Sequence, residues 1–175
     1  MKTIFLDRDG TIIKDKNYIK DPNDIEFFEG TIDTLKRLSD SGYQLVIISN
    51  QSGVGRGILT IEQMNEVNKK LMNTFDRAGI KFAGAYYCSH APEDKCPCRK
   101  PNTGLIEKAK QDLEIDFTES WFVGDKSVDV ALGEKIGVRT ILLHTGYAGK
   151  DTEQGAKPDF EAETIKEAAD IILSS

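Results

Sequence analysis

The sequence is short of positive charge: 23 Lys and Arg stand against 29 Asp and Glu, for a net charge of −6. That balance excludes a broad basic surface of the kind that grips nucleic acid, so an anionic ligand has to meet a local cluster of cations. Long apolar runs are missing too. None approaches the roughly 20 residues of a membrane helix. The opening MKTIFLDRDG runs into charge too soon for a signal peptide. The expectation is a cytoplasmic protein with neither a membrane nor a nucleic acid as partner. Cysteine is scarce and odd in number: three residues, all between Cys88 and Cys98. This argues against a disulfide framework and towards metal or redox chemistry. No G-x-G-x-x-G follows the first apolar stretch, which disfavours a dinucleotide binder. There is also no internal repeat, low-complexity tract or linker. A chain of 175 residues, 39% hydrophobic, then reads as one domain over 1–175.

What is present is an alternation of apolar and amphipathic stretches. Strands are predicted at 3–7, 43–50, 82–89, 120–125 and 138–145. Helices are predicted at 29–42, 60–79, 103–113, 128–137 and 162–175. Thr60 followed by Gln63 is a capping box, and Gly42 and Gly79 are helix stops. The alternation predicts an α/β fold: a Rossmann-like parallel sheet with helices on both faces and right-handed crossovers. The irregular stretches 8–28, 51–59 and 88–102 all follow predicted strands. They therefore gather at the edge where an open α/β sheet builds its site.

Four clusters fall at that edge. The first strand ends in Asp7-Arg8-Asp9-Gly10-Thr11, and the second in Ser49-Asn50-Gln51-Ser52. The loop after the third carries Arg99-Lys100-Pro101. The fourth ends in Gly124-Asp125-Lys126, with Asp129 beyond it. Each alone reads as a turn or a solvated pair. Together they supply carboxylates, a hydroxyl, an ammonium and loop amides, the set that metal-assisted phosphoryl transfer requires. Asp7 and Asp9 lie two apart, so an extended segment would point both to one side. Like charges that close call for a shared cation or a proton-transfer role. The loop CSHAPEDKCPC adds Cys88, His90, Cys96 and Cys98, three thiols and an imidazole, which fit a tetrahedral structural Zn²⁺ with no open position. Its expected task is to stiffen the loop that delivers Arg99 and Lys100. His144, Trp121 and the Met64, Leu71, Phe75 stripe read as structural, core or surface.

The motifs DRDGT, SNQSG, RKP and GDKSVD resemble, in order and over nearly the whole chain, those of haloacid-dehalogenase-superfamily phosphatases. The resemblance implies that Asp7 is the nucleophile and Asp9 the general acid/base. It implies Mg²⁺ on the Asp7 carboxylate, the Asp9 carbonyl and Asp125. Ser49 and Lys100 would hold the phosphoryl oxygens, and Asp129 would tether Lys100 or a metal-bound water. The stretch C-x-H-x-P-x-D-x-C-x-C-R-K-P is similar to two subfamilies, heptose 1,7-bisphosphate 7-phosphatases and histidinol-phosphate phosphatases. SNQSGVGRG and KPNTGLI look like the heptose group, although Ser49 stands where that group usually has Thr. By this resemblance the substrate is a small sugar bisphosphate, the alternatives being histidinol phosphate or another small sugar phosphate. It would be met by Asp15, Lys16, Asn17 and Tyr18, by Ser49, Asn50, Gln51 and Ser52, and by Arg99, Lys100 and Lys126. Arg56 and Arg99 are free for a distal phosphate or sugar hydroxyls. The chain has no room for a large cap domain, and the expected state is a monomer.

Overall fold

A computed structural model describes residues 1–151 and 155–175. The elements follow one another as β1 (Lys2–Leu6), α1 (Thr31–Asp40), β2 (Gln44–Asn50), α2 (Ile61–Arg77), β3 (Phe82–Cys88), α3 (Gly104–Asp112), β4 (Asp116–Gly124), α4 (Ser127–Ile136), β5 (Arg139–Leu143), β6 (Phe160–Ala162) and α5 (Ile165–Ser174). All six strands are parallel and lie in the order β3-β2-β1-β4-β5-β6. The chain leaves β1 to one side for β2 and β3, then returns to the other for β4. The carboxyl ends of β1 and β4 therefore flank the point where the order reverses, the crevice in which such sheets bind ligands.

Residues of period two divide the sheet between two cores. Ile4, Leu6, Leu45, Ile47, Trp121 and Val123 pack with α1, α2 and α5. Phe5, Val46, Ile48 and Phe122 pack with α3 and α4. Cys88 and Cys96 belong to that second core, so the cysteine loop is anchored to the sheet from below. The expected stops are present: Thr60 accepts from Gln63 N at 3.2 Å, the Gln63 side chain accepts from Thr60 N at 2.9 Å, and Gly42 and Gly79 take positive φ.

Two expectations need correction. The fourth strand starts at Asp116, not at residue 120, because its register against β1 shifts between Lys2 and Ile4. Ser120 makes that irregularity tolerable, its Oγ accepting from Thr3 N at 2.9 Å and donating to Asp116 O. The stretch before the last helix holds a sixth strand. Ala162, expected in the helix, pairs with Leu143, and the helix begins only after Thr164, whose hydroxyl accepts from Glu167 N. Three residues of edge strand are too few to show a period. No helix among the described residues is long and apolar enough to cross a membrane.

His144 ties β5 to this edge. Its N–H donates to Ala162 O, Nε2 lies 2.6 Å from Glu161 and Nδ1 3.0 Å from Glu163. The bond to Glu161, then that to Glu163, raises its pKa above the ordinary value near 6.5. Folding thus favours the imidazolium. Its contribution to stability is full below about pH 6.5 and fades as pH rises through the raised value. An NMR titration of His144 is expected to give a midpoint above about 6.5 that falls in Glu161→Gln; a midpoint at or below that value in the parent protein would contradict the assignment.

Candidate active site

The site is built where β1 ends. Asp7 continues the ladder, its N–H donating to Val123 O at 3.0 Å. The chain then reverses. Ile12 N and Ile13 N both donate to Arg8 O, and Gly10 turns with φ of 90°. A Cβ at Gly10 would fall on the Asp125 carboxylate, so the turn requires glycine there for space as well as for conformation. Asp9 pairs with Ile13 in an isolated bridge just before this turn and lines the same cavity as Asp7.

Lys100 is the most enclosed cation of the site, its side chain 1% exposed. Its ammonium donates to Asp7 Oδ1 at 2.8 Å and to Ile48 O at 2.8 Å, and lies 2.6 Å from Asp129 Oδ1. The main chain of Lys100 is clamped as well: its N–H donates to Asn50 Oδ1 at 3.0 Å, and Asn50 Nδ2 donates to its carbonyl at 3.2 Å. Lys126 comes from the end of β4. Its ammonium lies 3.1 Å from Asp9 O, 3.5 Å from Asp7 Oδ2 and 3.6 Å from Asp125 Oδ1, beneath the ring of Tyr147.

These neighbours set the charges. Burial alone would raise the Asp7 carboxyl, but Lys100 and Lys126 hold it at about 2, so it is ionised at neutral pH. Burial, with the charge of Asp7 beside it, pushes Asp125 up to about 6 against the pull of Lys126. Burial pushes Asp129 up to about 7, against the pull of Lys100.

Among the described residues, two groups of side chains could hold metals. Asp7, Asp125 and Asp129 offer carboxylate oxygens within 4.8 Å of one another. Of these, Asp129 is engaged with Lys100, whereas the ammonium of Lys126 stands among Asp7 Oδ2, the Asp9 carbonyl and Asp125 Oδ1. An ammonium stands among the oxygens where the resemblance implies Mg²⁺, and the all-oxygen donor set suits a hard cation. The second group is Cys88, His90, Cys96 and Cys98. The three sulfurs lie 3.1 to 3.4 Å apart, and His90 Nδ1 is 3.3 Å from Cys98 and 3.7 Å from Cys88. The sulfurs are too distant for disulfides, whose bond is about 2.05 Å, and all three cysteines are free. Four converging donors of this kind suit zinc. The loop rests on the segment after β2: Gln51 N donates to Cys88 O and Gly55 N to Ser89 O. A Cβ at Gly55 would overlap the backbone of His90 and Ala91.

In front of Asp7 opens a cavity of about 380 Å³, within the range of small-molecule sites. Of the residues singled out in the sequence, Asp7, Asp9, Asp15, Asn17, Tyr18, Asn50, Gln51, Ser52, Arg56, Arg99, Lys100 and Lys126 line it. Ser49, Asp125 and Asp129 are buried just behind it, and Gln51 Nε2 donates to Ser49 Oγ at 2.9 Å. Lys16 is the exception. It does not line the cavity and pairs with Glu26 at 3.2 Å. Arg99 Nη1 is buried and finds no protein acceptor among the described residues.

Sequence reasoning missed several participants. The loop after β5 closes one side with Tyr147 and Asp151; Tyr147 N donates to Asp125 Oδ2 at 2.7 Å, and Asp151 accepts from Ser127 N at 2.6 Å. Arg8, between the two aspartates of the first motif, is buried and holds the Asp9 carboxylate. The motif displayed Arg8, but nothing in its spacing says which way the side chain turns.

Comparison with known proteins places the molecule. The family described as polynucleotide kinase 3 phosphatase matches residues 2–172. The D-glycero-beta-D-manno-heptose-1,7-bisphosphate 7-phosphatase of Haemophilus ducreyi is 39% identical over 182 residues, covering 99% of this chain and 93% of its own. A probable D-glycero-D-manno-heptose-1,7-bisphosphate 7-phosphatase of Thermoplasma volcanium is 42% identical over 144 residues, covering 82% and 99%. Among solved structures, the D,D-heptose 1,7-bisphosphate phosphatase of B. bronchiseptica, complexed with magnesium and phosphate, superposes with a TM-score of 0.89 at 28% identity over 99% of both chains.

Proposed function

We propose, for a chain that belongs to the polynucleotide kinase 3 phosphatase family of haloacid-dehalogenase-like phosphatases, that it removes the 7-phosphate of D-glycero-D-manno-heptose 1,7-bisphosphate through an aspartyl-phosphate on Asp7. The observation that carries this reading is the state of Asp7. Its carboxylate is ionised, anchored through Oδ1 to Lys100, and exposed only to the cavity.

The Asp7 carboxylate attacks phosphorus, forming the new P–O bond as the bond to the sugar oxygen breaks. Asp9 gives its proton to the departing alkoxide. Lys100 and the Ser49 hydroxyl donate to the phosphoryl oxygens and take up charge that grows there. Water then attacks the phosphorus of the aspartyl-phosphate and passes a proton to Asp9; the P–O bond to Asp7 breaks, and both residues are restored. Asp7, the Asp9 carbonyl and Asp125 would hold Mg²⁺, which when bound offsets the repulsion between these carboxylates and the phosphoryl group. The Lys126 ammonium stands among these same oxygens and also lines the cavity. Cys88, His90, Cys96 and Cys98 would hold a structural Zn²⁺ that fixes the approach of Arg99 and Lys100.

The relatives' names supply the sugar, and the cations support a second phosphate. Lys100 serves the transferred group, which leaves Arg99 and Arg56 on the cavity wall for a distal anion. The unpartnered Arg99 Nη1 is a donor in wait of one. The net charge of −6 and a cavity of small-molecule size speak against a polynucleotide. The test is hydrolysis, with Mg²⁺, of the heptose bisphosphate, histidinol phosphate and a 3′-phosphorylated oligonucleotide side by side. The bisphosphate is expected to give the highest kcat/KM; preference for either of the others would overturn the substrate assignment.

A further inference from the structure

Arg8 is among the largest fully buried side chains of the protein, its residue 2% exposed, yet it sits at the site and not in either core. Adjacent residues of a strand point to opposite faces. Here the chain bends at Arg8, and the side chains of Arg8 and Asp9 meet. Arg8 Nε donates to Asp9 Oδ2 and Nη2 to Oδ1, both at 3.0 Å. The guanidinium is fixed in turn from two other elements. Nη1 donates to Asn68 Oδ1 on α2 at 2.5 Å, and Nη2 donates to Gln51 Oε1 after β2 at 2.8 Å. Gln51 completes the ring, its Nε2 donating to Asp9 Oδ2 at 2.7 Å as well as to Ser49 Oγ. Asp9 thus accepts from three donors on its two oxygens while its edge faces the cavity, its side chain 16% exposed.

We propose that Arg8, locked by Asn68 and Gln51, is a positioning residue for Asp9: the clamp fixes the carboxylate at the place where the leaving oxygen departs. This rests on the reading of Asp9 as acid and base given above. A guanidinium taken out of water costs several kcal/mol unless its partners are well placed. A buried ion pair kept for stability would need no link to the residues of the phosphate site, whereas this one shares Gln51 with Ser49. Three of the four side chains belong to the two catalytic motifs. The fourth, Asn68, reaches the guanidinium from a helix and does not line the cavity. Without the clamp Asp9 is free to turn about its own side-chain bonds, and a misplacement of about 1 Å costs on the order of a hundredfold in rate.

The consequence depends on the leaving group. An alkoxide needs the proton of Asp9; p-nitrophenolate leaves without much help. The experiment measures kcat and KM of Arg8→Lys and of Asn68→Ala on an alkyl phosphate and on p-nitrophenyl phosphate, each alone and combined with Asp9→Asn. Arg8→Lys is expected to lose on the order of a hundredfold in kcat on the alkyl ester and under about tenfold on the aryl ester, with KM little changed. Asn68→Ala is expected to show the same selectivity, with a loss of about tenfold on the alkyl ester. In the Asp9→Asn background either change should cost no more than about twofold, because the residue it positions is already gone. Equal losses on both esters, or losses that add to those of Asp9→Asn, would make the clamp merely structural and overturn the proposal. Undiminished alkyl ester hydrolysis by Asp9→Asn alone would instead remove the role of Asp9, and the proposal with it. Should Arg8→Lys fail to fold, Asn68→Ala, which keeps the guanidinium, decides between these outcomes.

Discussion

Asp7→Asn is expected to lose more than about a thousandfold in kcat and to keep its fold. The amide has the shape of the carboxylate but is no nucleophile, and the neighbouring Asp9 carboxylate is engaged by Arg8 and Gln51. The fold should survive because Asp7 belongs to neither core. Both ammonium groups keep partners: Lys100 retains Asp129 and the Ile48 carbonyl, and Lys126 retains Asp125 and the Asp9 carbonyl. Steady-state kinetics together with thermal unfolding check both halves. Near-normal turnover would rule out covalent catalysis, whereas an unfolded variant would show that the charge cluster holds the sheet edge together.

Loss of the cysteine cluster should act by another route. Cys96→Ser or Cys98→Ser is expected to abolish stoichiometric zinc and to lower kcat/KM on the order of a hundredfold. The melting temperature should fall while the α/β core stays folded. Four protein ligands would leave a zinc ion no place for water, so it would take no chemical part. Its effect runs through the chain that follows. Arg99 and Lys100 come directly after Cys98, Asn102 Nδ2 donates to Cys96 O at 2.9 Å, and Gly104 N at the head of α3 donates to Pro97 O. Releasing one ligand frees this stretch at its fixed end. The main chain of Lys100 then rests on the Asn50 clamp and its ammonium on Asp7, Ile48 O and Asp129, without the fixed loop behind them, and Arg99 Nη1 has no acceptor among the described residues. Stability should fall because Cys88 and Cys96 are part of the second core; the larger first core does not include them. Elemental analysis of protein purified without added metal, with kinetics on both variants, checks this. Protein free of zinc, or wild-type kinetics in Cys98→Ser, would show that the loop is not held by a metal.

The sheet was legible because its residues alternate between two buried faces, and the helices because their caps and stops are ordinary ones, such as Thr60 with Gln63. The short edge strand at Phe160–Ala162 was not, since its pairing with β5 leaves no period in three residues. The site was legible where residue type limits the role, as with the aspartates at the strand ends, the lysine after the cysteine loop and the four metal-type side chains. It was not legible where the role depends on direction. Arg8 turns back onto its neighbour at a bend in the chain. Tyr147 reaches the cavity because its backbone bonds to Asp125, and Lys16, in the same loop as Tyr18, turns outward to Glu26. None of these follows from spacing alone.

The most direct measurement is to trap the phosphorylated residue. Asp9→Asn should slow the hydrolysis of the intermediate, since one residue serves first as acid and then as base. The variant is mixed with substrate and Mg²⁺, quenched in acid within a single turnover, and treated with borohydride, which reduces an acyl phosphate to the alcohol. Peptide mass spectrometry is then expected to find homoserine at residue 7 and aspartate unchanged at the other sites. Product formation with residue 7 unmodified, or with the label on any other residue, would contradict the account.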